Sequence, residues 1–257
     1  MRNWIVALLL LATIGILPAS AQKVRVMTYN VRNGRGVDDV KSIERCTDVI
    51  RSAGPDVVAI QEVDSMTSRN NYYVLGRMAE LTGYHAYFGP TIPYKGGKYG
   101  IGVLSKRKAL SVAFYPLPNS VEARGLLVVE YDKYYMLCTH LSGVASTKQR
   151  DVQVAIIREV VSRLNKPTFI AGDMNARPTW ATMVAFKEFA TVLSDENIYT
   201  APSQSPSKCI DYVLGANGSF EVLNRHIYHG CLASDHLPLY VDVKVCKAKS
   251  KKDKQQQ

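Results

Sequence analysis

The sequence predicts one large domain of mixed α and β structure, on three observations. The chain has 257 residues with no repeat, low-complexity insert or Pro/Gly-rich linker to divide it, and a single core can still grow to this size. Short apolar runs separated by turn residues alternate with longer segments of helical spacing. Strand after strand is apolar along its body and ends on a polar residue suited to a metal or a phosphate: Asn30, Glu62, His140, Asp173 with Asn175.

The two ends stand apart from that domain. Arg2 precedes an apolar run, Trp4 to Leu17, and Ala19 to Ala21 supply small residues, the layout of a secretory signal. The run is too short to span a bilayer comfortably. Cleavage after Ala21 is expected, with a secreted or periplasmic destination and no other membrane segment. The folded domain is then 22–246, followed by a Lys/Gln-rich tail, 247–257, expected to be disordered. The formal net charge is +10, but Arg2 and the tail lysines leave only about five excess positive charges on the body. Anionic partners such as phosphate esters or nucleic acid are permitted without being demanded, and a solvated surface accounts for the charge equally well.

Taken in order, "KVRVMTYN" alternates as a strand ending at Asn30. Val40, Ile43, Thr47 and Ile50 then share a helical face, closed by Gly54-Pro55. "DVVAIQEV" is a strand buried on both faces, and a second helix is expected over about 71–81. Five strands follow at short, hairpin-like intervals: "YHAYFGP", "YGIGVLS", "LSVAFYPL", "RGLLVVEY" and "YYMLCTHL", the last pair turning at Asp132-Lys133. "STKQRDVQVAIIREVVSRLNK" reads as a long helix with Ser146 and Gln149 as a capping box and Val154, Ile157, Val161 and Leu164 on one face. "PTFIAGDMN" is another buried strand. After it come a short helix from about Pro178, the loop "TAPSQSPS", the strands "CIDYVLG" and "FEVLNRHIY", and a last strand behind "SDHLP". Of the five cysteines, Cys46 and Cys138 sit on apolar faces as core residues. Cys231 with Cys246 or Cys209 is a candidate bridge, and an odd count leaves one thiol over.

"MTYNVRNG", "DVVAIQEV", "YGIGVLS", "EARGLL", "CTHL", "AGDMNA", "CIDYV" and "SDHLP" stand in the order typical of the endonuclease/exonuclease/phosphatase superfamily of DNase I-like metal-dependent phosphoesterases. The chain resembles it from roughly Val24 to Val245. That resemblance implies an α+β four-layer sandwich: two mostly antiparallel β-sheets packed face to face, helices outside, and a metal site at one edge. It implies that Glu62 is the principal Mg²⁺ or Mn²⁺ ligand, with Asp235 and Asn30 as further metal-site residues and one or two ions. Asn30 and Arg124 resemble the groups that support the acidic site and phosphate. His140, Asp173, Asn175, Asp211 and His236 resemble the catalytic set, Asp211 orienting His236. Two positions depart from close bacterial relatives: Ile101 replaces an amide and Cys209 a basic residue.

The chemistry suits the residue types. A hard cation on carboxylates neutralises an anionic phosphorus centre and its leaving oxygen, and no cysteine or histidine cluster has zinc spacing. Histidine titrates near neutrality, so either Asp173 or a neutral His236 could activate water. Singly, each residue has a structural alternative: turn asparagines, solvated strand-end acids, a core histidine, an ion-paired arginine. His85, His226 and His229 read as structural. Tyr94, Tyr99 and "YKGGKYG" read as either a substrate-contacting lip or a flexible hairpin, and Arg32 and Arg35 as either a second phosphate contact or a solvated loop. The function expected is hydrolysis of a phosphate ester, foremost a phosphodiester, on a small molecule, lipid headgroup or sugar phosphate. A nuclease and a non-catalytic binding protein that retains the fold are the alternatives.

Overall fold

A computed structural model describes residues 22–144 and 147–247, the last two by backbone alone. The expected signal segment, Ser146 of the capping box, the side chain of Cys246 and tail residues 248–257 lie outside the described residues. No helix among those described is long and apolar enough to cross a membrane.

The strands are β1 (Gln22–Asn30), β2 (Val57–Thr67), β3 (Asn70–Tyr73), β4 (His85–Tyr94), β5 (Gly97–Ser105), β6 (Ser111–Leu117), β7 (Arg124–Glu130), β8 (Tyr135–His140), β9 (Thr168–Asp173), β10 (Thr191–Val192), β11 (Asp211–Ala216), β12 (Gly218–Ile227) and β13 (Leu239–Lys247). The helices are α1 (Ile43–Ala53), α2 (Val74–Thr82), α3 (Thr147–Ser162) and α4 (Ala181–Lys187). One sheet runs β12-β13-β1-β2-β5-β4 with β3 added to β2. The other runs β10-β11-β9-β8-β7-β6. Neighbours are antiparallel except β1 with β2 and β8 with β9. Those two parallel pairs are joined through α1 and α3, because a parallel connection needs a crossover long enough to carry a helix.

Three apolar clusters fill the three spaces of a four-layer sandwich. Between the sheets lie Val26, Val57, Ile101, Val103, Leu127, Cys138, Phe169 and Val241. Ile43, Cys46, Ile50, Leu75 and Met78 seal α1 and α2 onto the first sheet. Val154, Ile157, Val161, Met183 and Phe186 seal α3 and α4 onto the second. The α+β sandwich expected from the sequence is the one observed.

Several boundaries differ for local reasons. The first helix starts at Ile43, where the Ser42 hydroxyl accepts the Arg45 N–H at 3.4 Å, so Val40 stays outside it, half exposed. The second helix begins at Val74, not near 71. Asn70 donates to Asp64 Oδ2 (2.8 Å) and to the Asn33 carbonyl (3.0 Å), which fixes Asn70–Tyr73 as a strand against β2. The helix expected from about Pro178 starts at Ala181. Cys46, Cys138, Cys209 and Cys231 are unpaired, so the Cys231–Cys209 bridge does not form.

Candidate active site

β1 delivers Asn30 to the sandwich edge, buried to 1% exposure and level with Gln61 of β2 in parallel register. Gln61 faces the inter-sheet core, taking a hydrogen bond from the Thr28 hydroxyl at 3.3 Å. In a regular strand Glu62 would then face the other way. The β2–β5 register instead breaks between Ile60 and Val63, and Glu62 takes a left-handed φ of 62°. A bulge of this kind re-aims a side chain, and here it turns the carboxylate toward Asn30. Asn30 Nδ2 donates to Glu62 Oε1 at 3.1 Å and to Asp173 Oδ2 at 3.2 Å, while its oxygen accepts the Arg32 N–H at 3.1 Å.

The second sheet supplies the other side. Asp173 ends β9, level with His140 of β8 and opposite Asp211 of β11. Gly172 precedes it because a Cβ there would stand 1.9 Å from the Thr139 carbonyl oxygen. Asp173 Oδ1 accepts the Asn175 N–H at 2.9 Å. Its Oδ2 lies 3.4 Å from His140 Nε2 and 3.7 Å from His236 Nε2. Asn175 Nδ2 stands 3.1 Å from His140 Nε2 and donates to the Leu141 carbonyl at 3.1 Å. Asp211 Oδ2 accepts His236 Nδ1–H at 2.9 Å and the Thr200 hydroxyl at 2.5 Å. Residues remote in the chain thus meet around one carboxylate oxygen.

Burial and charge set the protonation states. Burial alone would lower the His236 pKa, but Asp211 and then Asp173 outweigh it and lift it to about 10, so His236 is an imidazolium. Asp173 rises to about 7, first through burial and then through Asp211, with His236 opposing. His140 goes the other way. Burial, Arg124 and His236 hold it well below 6.5, hence neutral.

Asp235 stands at the rim, half-buried, 3.4 Å from Arg32 Nε. Arg32 is therefore tied to the acidic site's edge, whereas Arg35 pairs with Asp39 on the surface. Arg124 pairs with Glu122, and its Nε is buried with no partner among the described residues. Of the expected metal-site residues, Asn30 turns its nitrogen to the acids, so it brackets Glu62 and Asp173. The donor set fits a hard divalent cation: two carboxylates gathered by one amide. Asp173, Asp211 and His236 also offer atoms within 4.8 Å of one another. Asp211 Oδ2 and His236 Nδ1, however, are spent on each other and Asp211 Oδ1 is buried without a partner among the described residues, while Asp173 Oδ2 meets Asn30 and both imidazoles, so Glu62 is the carboxylate left open to a cation.

Two positioning residues went unread in the sequence. Ser234 opens "SDHLP"; its hydroxyl donates to the Asn30 carbonyl at 2.7 Å and accepts the His236 N–H at 3.3 Å. Thr200, inside a stretch that reads as loop, clamps Asp211. Only a hydroxyl adjoining each acid–histidine motif could have signalled them. Ile101 packs between the sheets at 1% exposure, and Cys209 is buried with its Sγ 3.9 Å from the Asp195 carbonyl. The "YKGGKYG" segment is the β4–β5 hairpin.

The sequence profile of the Endonuclease/Exonuclease/phosphatase family matches residues 27–236. No curated relative matches the sequence. Among solved structures, an endonuclease/exonuclease/phosphatase from Beutenbergia cavernae is similar at 26% identity, over 87% of this chain and 72% of that one, with a TM-score of 0.75. The mannosyl-6-phosphatase of Bacteroides thetaiotaomicron is similar at 18% identity over 86% and 99%, TM-score 0.67. The human Nocturnin catalytic domain with bound sulfate is similar at 18% over 87% and 94%, TM-score 0.67. The last two share the fold alone.

Proposed function

Since the chain belongs to the endonuclease/exonuclease/phosphatase family, whose members are phosphoester hydrolases, we propose that it is an exported, Mg²⁺- or Mn²⁺-dependent phosphodiesterase. The observation that carries this is the meeting of Glu62, Asn30, Asp173, His236 and Asp211 at one sandwich edge. Glu62 would hold the cation, with Asp235 at the rim beside a second. When bound, the ion neutralises the phosphoryl oxygens and the leaving alkoxide.

The rest falls to the chain's own side chains. Asp173, with its pKa near 7, is matched to take a proton from the attacking water at neutral pH. His236, held as a cation by Asp211, stabilises the negative charge that builds on phosphorus. That division favours Asp173 over His236 as the base. Asn175 and neutral His140 fix the other side of Asp173, and Arg124 faces the phosphate. A cation-binding protein without catalysis would need neither the Asp211–His236 pair nor the Thr200 clamp behind it.

The test is a substrate panel for the protein purified as residues 22–257. It comprises bis(p-nitrophenyl) phosphate, p-nitrophenyl phosphate, mannose 6-phosphate, sphingomyelin and plasmid DNA, each with Mg²⁺, Mn²⁺ or EDTA. Cation-dependent cleavage fastest on diesters supports the reading. Preference for a monoester would correct the substrate class, and DNA nicking that survives EDTA would refute the chemistry. Export is tested by fractionating cells and sequencing the mature N-terminus, expected at Gln22.

A further inference from the structure

The inner face of β5 runs from the inter-sheet core to the site. Val103 and Ile101 are sealed in the core, and Tyr99, next on that face, lies opposite Asp64 just past the Glu62 bulge. Tyr99 is 9% exposed, and its ring packs against two neighbours. The Tyr94 ring lies 5.9 Å away and the Arg69 guanidinium 5.4 Å from the centroid. Arg69 is itself held by two bonds to Asp64, at 2.6 and 2.8 Å, and the Asp64 side chain has no exposure. Asn70 joins the same carboxylate to the loop that follows Asn30.

The hydroxyl, by contrast, is left free. Buried tyrosines usually find a partner for it: Tyr212 gives its own to two carbonyls at 2.8 Å. Tyr99 has none among the described residues. Its oxygen is not sealed from solvent either, unlike the partnerless hydroxyl of Tyr131. A nine-tenths buried ring therefore keeps an unused donor, two residues along β2 from the Glu62 bulge. Burial, then Glu62 and Glu122, keep that phenol neutral, against Arg124 and Arg69. The start of β7 lies beside Tyr99: a Cβ on Gly125 would stand 3.3 Å from Thr91, whose hydroxyl donates to the Tyr99 carbonyl at 3.1 Å, and Arg124 is the next residue.

We propose that Tyr99 is a substrate-contact residue whose hydroxyl donates a hydrogen bond to a non-bridging oxygen of the phosphate ester, beside Arg124. This rests on the phosphoesterase reading. A neutral donor suits that place, because it adds no repulsion to a bound cation and cannot be titrated away at working pH. An anionic substrate oxygen would give the hydroxyl the acceptor it lacks among the described residues.

Tyr99→Phe removes the hydroxyl and keeps the ring against Tyr94 and Arg69. A hydrogen bond made in both ground and transition states should raise KM for bis(p-nitrophenyl) phosphate about five- to tenfold with kcat within about twofold. The inhibition constant for inorganic phosphate should rise by the same factor, and Mn²⁺ affinity, read by electron paramagnetic resonance, should not change. An active wild type whose Tyr99→Phe variant keeps its KM and phosphate inhibition overturns the proposal alone. A parallel loss of Mn²⁺ affinity also overturns it, by assigning Tyr99 to the metal scaffold. A wild type that neither cleaves the ester nor binds phosphate overturns the phosphoesterase reading and this proposal with it.

Discussion

Asp211→Asn isolates one charge. The amide keeps an oxygen to accept from Thr200 and His236, so the bonds at 2.5 and 2.9 Å can persist while the negative charge goes. In the folded protein His236 rises from 6.5 to about 10, which corresponds to about 5 kcal/mol between its two protonation states. Three acids share that lift against burial, Asp211 first, so its charge is worth about 2 kcal/mol. The imidazolium should then lose its proton about 1.5 pH units lower, since each 1.4 kcal/mol is one decade. Asp211 also raises Asp173, so the base should ionise at lower pH as well. Both limbs of the kcat/KM profile on bis(p-nitrophenyl) phosphate should therefore move toward acid, with a roughly 30-fold fall in rate at the optimum. The assay is that profile together with the His236 ring resonances followed by NMR through the same titration. An alkaline limb that stays near 10, with the His236 resonances unmoved, would refute the reasoning.

Glu62→Gln keeps the bulge and the Asn30 contact but loses the carboxylate, so Mn²⁺ affinity should weaken and kcat fall by about 100-fold or more, with the thermal midpoint little changed. An equal rate in Mg²⁺ would remove Glu62 from the metal site. Asp173 holds its proton more tightly folded than unfolded, so its contribution to stability is present below about 3.8 and lost as pH rises through about 7. Asp173→Asn should accordingly stabilise the fold by up to about 4 kcal/mol at pH 8 and hardly at all at pH 4, while abolishing activity; urea melts at both pH values decide it. Asp64→Asn leaves Arg69 without its buried partner and should cost about 2–4 kcal/mol, measured by the same melts, and a cost below about 1 kcal/mol would mean that solvent already screens the pair.

The sandwich was legible because its causes are local and repeated. Continuous apolar runs such as Val57–Ile60 and Phe169–Ala171, bounded by turn and polar residues, are the mark of strands covered on both faces, and both are fully buried. The site acids were legible because they end those runs. What stayed hidden depends on contacts between segments. Asn70–Tyr73 has helix-compatible spacing, and only the long-range bonds of Asn70 make it a strand. Thr200 lies in a stretch rich in Ser and Pro that reads as loop, and it is loop. Its function comes from where Asp211 places its carboxylate, which no local pattern encodes. Tyr99 reads from the sequence only as part of a substrate-contacting lip or a flexible hairpin, because the free hydroxyl that separates the two is a property of what surrounds it.

Four of the eight non-glycine residues with left-handed φ among the described residues cluster toward the same edge of the molecule. Arg32, Asn33, Glu62 and Asn175 all hold left-handed φ angles between 44° and 62°, a conformation that costs a non-glycine residue roughly 1 kcal/mol or more. Arg32 follows Asn30, Glu62 accepts from Asn30, and Asn175 holds Asp173, so at least three of the four adjoin one amide or the acid it brackets. Asparagine tolerates this region, but arginine and glutamate gain nothing from it locally. Such residues persist only where surrounding structure over-determines them. Here the surroundings are the parallel β1–β2 register on one side and the Asn30 bonds on the other. A sequence selected for stability alone would place glycine at 62 and let the strand bulge at no cost. Keeping glutamate there makes sense if a carboxylate is needed at that point in space, and the same reasoning applies to the buried, proton-hungry Asp173 that shares its amide.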